Sequence, residues 1–126
     1  MIRQVQPTDA AAWQAMRQDL WPEGIEDHAA EIAAFFAENL AEPQAVMVAE
    51  EAGVLVGLLE LSVRYDVAGL QGKRVGYVEG MYIVPAFRFH GLARQLLATA
   101  RSWARANACE GLASDRAERV IVDGRF

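Results

Sequence analysis

The segment from Val84 to Ala93 combines a strand end, a short loop with one glycine and the start of a long helix. Backbone N–H groups in the first turn of a helix have no partner within the helix, and the helix dipole favours negative charge there, so such a turn can hold phosphate. Gly91 allows an anion to approach the backbone, and Arg88 adds a cation able to make charge-assisted hydrogen bonds. An ordinary strand-to-helix connection would carry the same residues, so both interpretations stay open at this point.

The helices and strands that must position this loop can be predicted from the spacing of apolar residues along the chain. Residues 2–6 predict a short strand, Thr8-Asp9 offers N-cap side chains, and apolar residues at helical spacing then predict two helices. Later segments rich in β-branched residues predict strands, with Pro85 ending the third of them. The predicted helices cover Ala10–Leu20, Glu26–Leu40 and Ala93–Arg105, and the later strands cover Ala45–Glu51, Val54–Asp66, Arg74–Val84 and Cys109–Ser114. The pattern indicates an α/β fold with a mixed sheet.

Composition restricts the class of protein. A chain of 126 residues has room for one core, so residues 1–126 are predicted to form a single domain with an ample hydrophobic fraction of 53%. No apolar run is long enough to cross a bilayer and the first residues do not resemble a secretory signal, so we expect no membrane partner and a cytoplasmic location. Cys109 is the only cysteine, and it lies far from the two histidines, so no metal site is expected.

The formal net charge of −5 argues against a nucleic-acid partner, because binding phosphates along a duplex requires a dense basic face. An acidic balance suits a cationic small molecule instead. Mild acidity is also common among soluble domains, so charge alone decides little.

The run Arg88-x-x-Gly91-x-Ala93, preceded by Val84-Pro85, resembles the R/Q-x-x-G-x-G/A signature of the GNAT acetyltransferases. The resemblance implies a GNAT fold with a mixed, mostly antiparallel sheet, in which the loop amides hold the pyrophosphate of acetyl-CoA. It also implies that strand Gly80–Val84 diverges from its neighbour and binds the pantetheine. The residues that the resemblance assigns to the cofactor are Met81, Tyr82, Ile83, Val84, Arg88, Phe89, His90, Gly91, Leu92 and Ala93.

A narrower resemblance is to the aminoglycoside 6'-N-acetyltransferases. It rests on four separated motifs in the right order, which are Leu20-Trp21-Pro22-Glu23, Arg64-Tyr65-Asp66, Val78-Glu79-Gly80-Met81-Tyr82 and Ala113-Ser114-Asp115. It implies transfer of an acetyl group to the primary 6'-amine of an aminoglycoside, and hence antibiotic resistance. The acetyl acceptor would attack the thioester directly, without a covalent enzyme intermediate.

The resemblance assigns roles to four residues. Glu79 would orient the amine and accept its proton, and Asp115 would either share that role or bind another ammonium group. Trp21 and Tyr65 would provide stacking or cation–π contacts to the substrate, together with Glu79 and Asp115. The residues themselves also allow a plainer interpretation, with the acids as solvated strand-end charges and the aromatics as packing residues.

The chain departs from the family pattern after Asp115. The family continues with a helix, a turn and a last strand, whereas here residues 118–122 already resemble that last strand, so we expect an abbreviated C-terminal part. Because the missing elements would cover apolar surface and a sheet edge, a homodimer is expected. Two alternatives to the aminoglycoside hypothesis remain open: a GNAT enzyme for another amine, such as a polyamine, amino acid or peptide, and a catalytically impaired protein that binds acetyl-CoA or a partner chain.

Overall fold

The computed structural model describes residues 1–24, 27–114 and, as backbone, 122–123. Its α-helices are α1 (Ala10–Leu20), α2 (His28–Phe36) and α3 (Leu92–Ala106). Its strands are β1 (Ile2–Gln4), β2 (Ala45–Glu51), β3 (Val54–Arg64), β4 (Val75–Ile83), β5 (Gly111–Ser114) and β6 (Val122–Asp123). Short 3-10 turns cover Pro7–Asp9 and Pro85–Phe87. The predicted α/β pattern is confirmed.

The six strands form one sheet in chain order, from β1 to β6. All neighbouring pairs are antiparallel except β4 and β5, which are parallel and joined through α3. The sheet is therefore mixed and mostly antiparallel, as expected. A parallel pair needs a crossover connection, and the amphipathic α3 provides it.

The two faces of the sheet carry separate apolar clusters. On one face, α3 packs against β3, β4 and β5 through Leu96, Ala100 and Ala104. On the other face, α1 and α2 pack through Trp13, Met16 and Ile32 against β2, β3 and Tyr82 of β4. The central strands are thus buried on both faces, which explains why β3 reads as an almost continuous apolar run.

Two details of the predicted helices were wrong. The helix expected from Glu26 to Leu40 ends at Phe36, and Glu38 takes a left-handed φ of 59° that cannot continue it. Asp9 stands at the N-cap of α1 without bonding to the helix amides. Its carboxylate instead accepts 2.8 and 3.0 Å hydrogen bonds from Arg3 and a 2.7 Å hydrogen bond from the Gln6 N–H, so it fastens β1 to the turn before α1.

None of the helices in the described part of the chain has the length and the apolar character that a membrane crossing requires.

Candidate active site

Among the described residues, β4 extends beyond the end of its parallel neighbour β5, and the site lies beside this extension. β4 stays paired with β3 as far as Ile83, but within the described residues it pairs with β5 only over Val75–Val78. The register of β4 against β3 also shifts, because Glu60 lies opposite Gly80 whereas Leu61 lies opposite Val78. Glu79 is therefore the extra residue of a β-bulge, a feature that re-aims side chains near active sites.

A cleft of about 450 Å³ opens beside this diverging half of β4. It gathers seven of the ten residues predicted for the cofactor and adds two from the end of α1. Its lining consists of Asp19, Leu20, Met81, Tyr82, Ile83, Arg88, Phe89, Gly91 and Ala93. The cleft is thus bounded by β4 on one side and by the start of α3 on the other.

Gly91 sets the entry of α3 into this cleft. It is the N-cap residue, with a left-handed φ of 90°, and as a glycine it has no side chain with which to cap the first turn of the helix. A Cβ built on Gly91 would meet nothing within 4 Å, so the approach to the first-turn amides is open. These amides and the dipole of a 15-residue helix fit a phosphate group.

Arg88 ties the loop back to the sheet. Its Nε donates a 2.8 Å hydrogen bond to the carbonyl oxygen of Ile83, and its guanidinium lies 5.5 Å from the ring centroid of Tyr82. The Tyr82 hydroxyl donates a 2.9 Å hydrogen bond to Asp19. Burial, followed by the contact with Asp19, raises the pKa of Tyr82, so this hydroxyl remains protonated at neutral pH.

The other predicted cofactor residues differ in what they offer. Phe89 has a φ of 66°, uncommon for a bulky residue, and its ring is fully exposed at the cleft. His90 is exposed on the same loop. The side chains of Val84 and Leu92 are partly buried and pack against the two apolar clusters instead, so we expect their backbone to be their main contribution to a ligand site.

Glu79 is held by an arginine that sequence reasoning did not assign to the site. Arg64, the last residue of β3, donates from Nε to Oε2 and from Nη2 to Oε1 of Glu79, both at 2.8 Å. The same Nη2 donates to Glu42 at 2.9 Å, and the guanidinium lies 4.4 Å from the ring centroid of Tyr77. The hydrogen bonds with Glu79 are the main reason that the pKa of Arg64 is raised.

Trp21 lies directly over the bulge. A Cβ on Gly80 would stand 2.8 Å from Cη2 of Trp21, so only glycine admits the indole at this distance. The indole stacks on His28, with ring centroids 6.3 Å apart, and the Arg17 guanidinium lies 5.4 Å from the indole centroid. The structure therefore brings Trp21 to the strand that carries Glu79.

A buried ion pair lies next to the Trp21 indole. Arg17 donates from Nε and Nη2 to the two oxygens of Glu60, both at 2.8 Å, and Trp13 donates a 2.9 Å bond to the same carboxylate. Burial opposes the charge on Arg17, but Glu60 and then Glu31 outweigh it and raise the pKa of Arg17. The guanidinium also lies 3.3 Å from Nδ1 of His28, and because an arginine has no acceptor, a hydrogen bond between them requires that this nitrogen accept.

The structure does not show the other two predicted substrate residues beside Trp21 and Glu79. Tyr65 follows β3, is 54% exposed, and its hydroxyl accepts a 2.7 Å hydrogen bond from Arg74. Asp115 lies outside the described residues, although Ser114 before it is paired with Val78. The contribution of both residues stays a prediction.

Comparison with known proteins decides the family. The model of the acetyltransferase (GNAT) family matches residues 13–119. This chain belongs to the GNAT acetyltransferase family. Among its GNAT relatives, the aminoglycoside N(6')-acetyltransferase type 1 of Klebsiella aerogenes is 38% identical over 117 residues, which are 91% of this chain and 77% of the relative. The type 1 enzyme of Stenotrophomonas maltophilia is also 38% identical, over 90% of this chain and 73% of its own length.

Solved GNAT structures agree with the fold. The structure of AAC(6')-Iy in complex with the bisubstrate analog CoA-S-monomethyl-acetylneamine has a TM-score of 0.81 and 32% identity, and the match covers 93% of this chain and 79% of that one. The apo structure of aminoglycoside 6'-N-acetyltransferase AAC(6')-IG from Acinetobacter haemolyticus has a TM-score of 0.80 and 30% identity, with the same coverage. The predicted GNAT resemblance is confirmed.

Proposed function

We propose that this chain transfers the acetyl group of acetyl-CoA to the 6'-amine of an aminoglycoside. The observation that supports this most directly is the position of Glu79 on β4. The strand that lines the cofactor cleft from Met81 to Ile83 also carries the carboxylate two residues earlier. An amine held at Glu79 therefore stands beside the acyl end of a cofactor that follows β4 towards α3. Similarity to enzymes named for this activity supports the choice of substrate.

On the cofactor side, the first-turn amides of α3 and Gly91 would hold the pyrophosphate, with Phe89 and Ala93 at the rim. Backbone groups of β4 that β5 does not pair would bind the pantetheine. Acetyl-CoA supplies the activated thioester. A backbone N–H of the Met81–Ile83 segment aimed at the thioester oxygen would stabilise the negative charge that develops there.

On the acceptor side, the residues present suit a cation. Glu79 offers a largely buried carboxylate, its side chain 15% exposed, and the Trp21 indole offers an aromatic surface beside it. A free amine is mostly protonated at neutral pH and must lose a proton before it attacks. Glu79 would orient the ammonium group and accept that proton, directly or through water. Asp115 and Tyr65 are proposed to bind the more distant groups of the aminoglycoside.

The decisive experiment measures thiol release from acetyl-CoA with and without an aminoglycoside that bears a free 6'-amine. We expect release that depends on the aminoglycoside. Release with simple amines only would favour a GNAT enzyme of another specificity, and no release with either class would contradict the proposal.

Two variants test the assigned roles separately. Glu79→Gln should lower kcat by roughly 10²-fold or more, the range of general-base contributions, while the affinity for acetyl-CoA is retained. Gly91→Glu should abolish acetyl-CoA binding, because it places an anion where phosphate must lie and imposes a positive φ on a bulky residue. Acetyl-CoA affinity that survives Gly91→Glu would refute the loop assignment.

We also propose that the chain forms a homodimer. Over the residues that the structure describes, β6 pairs with β5 at two positions, Leu112 with Asp123 and Ala113 with Val122, and this short pairing covers little of the edge of β5. A second copy that pairs along this edge would bury it. Light scattering at micromolar concentration should give the mass of two chains, and the mass of one chain would refute the dimer.

A further inference from the structure

The guanidinium of Arg64 occupies the place at which the substrate ammonium is expected. It contacts both oxygens of Glu79 at 2.8 Å, and the side chain of Glu79 is only 15% exposed. A carboxylate with so little access to water needs a cation beside it. Without a substrate, Arg64 fills that need.

Arg64 also has a second carboxylate within reach. Its Nη2 lies 2.9 Å from Glu42, whose side chain is 46% exposed. The face of the guanidinium rests on the ring of Tyr77 at 4.4 Å. A rotation of the outer part of Arg64 away from Glu79 would keep the ion pair with Glu42, so the arginine need not lose all its partners when Glu79 is taken by another cation.

We propose that Arg64 is a placeholder cation for the amine at Glu79, and that Glu42 retains Arg64 when the amine displaces it. The inference rests on the proposed function, because it assumes that Glu79 receives the ammonium group. It adds two specificity-determining residues, neither of which was assigned to the site from sequence. Arg64 weakens the binding of any cation at Glu79, and Glu42 reduces that penalty.

A balance of charges gives the direction of each effect. The occupied site contains two cations, Arg64 and the ammonium, and two anions, Glu79 and Glu42. Removal of Glu42 leaves two cations against one anion and disfavours the amine. Removal of Arg64 leaves Glu79 without a partner in the free enzyme, so the amine gains a contact without competition.

The experiment is titration calorimetry of neamine into the full chain saturated with CoA. Glu42→Gln should raise the Kd of neamine about threefold to fivefold, the range for a partly exposed ion pair. Arg64→Gln should lower the Kd, whereas Arg64→Lys, which keeps the charge, should stay closer to the unaltered chain. Glu38→Gln is the matched control, because it removes an exposed acid four residues from Glu42 and changes net charge equally.

A second titration locates the effect. An aminoglycoside with a 6'-hydroxyl in place of the 6'-amine should bind the unaltered chain and Arg64→Gln with the same affinity, because no ammonium then competes for Glu79. Melting temperature and CoA affinity identify variants whose fold is disturbed, and if Arg64→Gln fails to fold, Glu42→Gln against Glu38→Gln decides alone.

Weaker neamine binding in a folded Arg64→Gln, or equal affinities of Glu42→Gln and Glu38→Gln, would overturn the placeholder role. Failure of the proposed function looks different, since the unaltered chain would then neither bind neamine nor release thiol in its presence.

Discussion

Arg17 and Glu60 form a bidentate ion pair in the interior of the protein, with side chains that are 4% and 1% exposed. The pair links α1 to the middle of β3, one strand away from the bulge that carries Glu79. A buried pair of this kind adds little net stability over apolar residues, but the loss of one partner leaves the other as an uncompensated charge.

Glu60→Gln should therefore destabilise the fold strongly. Arg17 would keep its charge in a buried position without its main counter-ion, and we expect a loss of about 3–5 kcal/mol in the free energy of unfolding. Urea denaturation measures this. Glu31→Gln is the control, since its contact with Arg17 is at the rim, with a side chain 29% exposed, and it should cost about 1 kcal/mol or less. Equal losses of unfolding free energy in Glu60→Gln and Glu31→Gln would show that the buried Arg17–Glu60 pair does not cause the destabilisation.

Gly80→Ala should weaken amine binding selectively. The new methyl group would stand 2.8 Å from Cη2 and 3.0 Å from Cζ2 of Trp21, so the indole must move away from the bulge. We expect KM for the aminoglycoside to rise about tenfold, equivalent to about 1.4 kcal/mol of lost binding, with little change in acetyl-CoA affinity. Gly76→Ala collides with Ala104 of α3 on the opposite face, also at 2.8 Å, and should lower stability without this selectivity.

Phe89→Gly should stabilise the protein while it weakens cofactor binding. Phe89 holds a positive φ with a fully exposed ring, so glycine relieves strain of about 1 kcal/mol without loss of core contacts. The ring lines the cofactor cleft, and its removal should raise the Kd of acetyl-CoA several-fold. In Phe89→Ala the affinity should fall without the gain in melting temperature. An unchanged Kd in both variants would remove Phe89 from the cofactor site.

The contribution of Asp9 to stability should disappear in acid. Hydrogen bonds from Arg3, followed by that from the Gln6 N–H, lower the pKa of Asp9 from 3.8 despite its burial. A carboxyl group whose pKa is lower in the folded state stabilises the fold above its unfolded pKa and loses that effect as pH falls through its folded pKa. The difference in unfolding free energy between the unaltered chain and Asp9→Asn should thus be constant above about pH 5 and decrease as pH falls through the lowered pKa of Asp9. A difference independent of pH would contradict this.

The order of elements and the cofactor loop could be predicted from sequence because both depend on local patterns. Helix α1 occupies the predicted residues Ala10–Leu20, and the loop at Gly91 leads into α3 where a glycine with positive φ is required. Hydrophobic period and turn chemistry are properties of neighbouring residues, so a single sequence displays them.

The surroundings of Glu79 could not be predicted in the same way. Arg64 and Glu42 are 15 and 37 positions away from it in sequence, and they meet it because of the antiparallel register of β3 with β4 and the path of the loop before β2. A bulge shifts that register by one residue, which strand patterns do not reveal. Counting pairs outward from the loop between β3 and β4 places Arg64 opposite Val75, four residues before Glu79, and does not reveal that the two side chains meet.

In the part of the chain that the structure describes, β4 is longer than β5, and this difference would link the amount of this protein to its cofactor supply. If the pantetheine fills the unpaired side of β4, it acts as a missing strand, and the folded chain is the only form that binds it. A cofactor present at a hundredfold excess over its Kd then adds about 2.7 kcal/mol to the free energy of unfolding. When acetyl-CoA is scarce, a larger fraction of the chains would unfold and be exposed to proteases. The acetyl-CoA concentration would then affect the number of enzyme molecules that persist as well as the rate at which each one catalyses acetyl transfer.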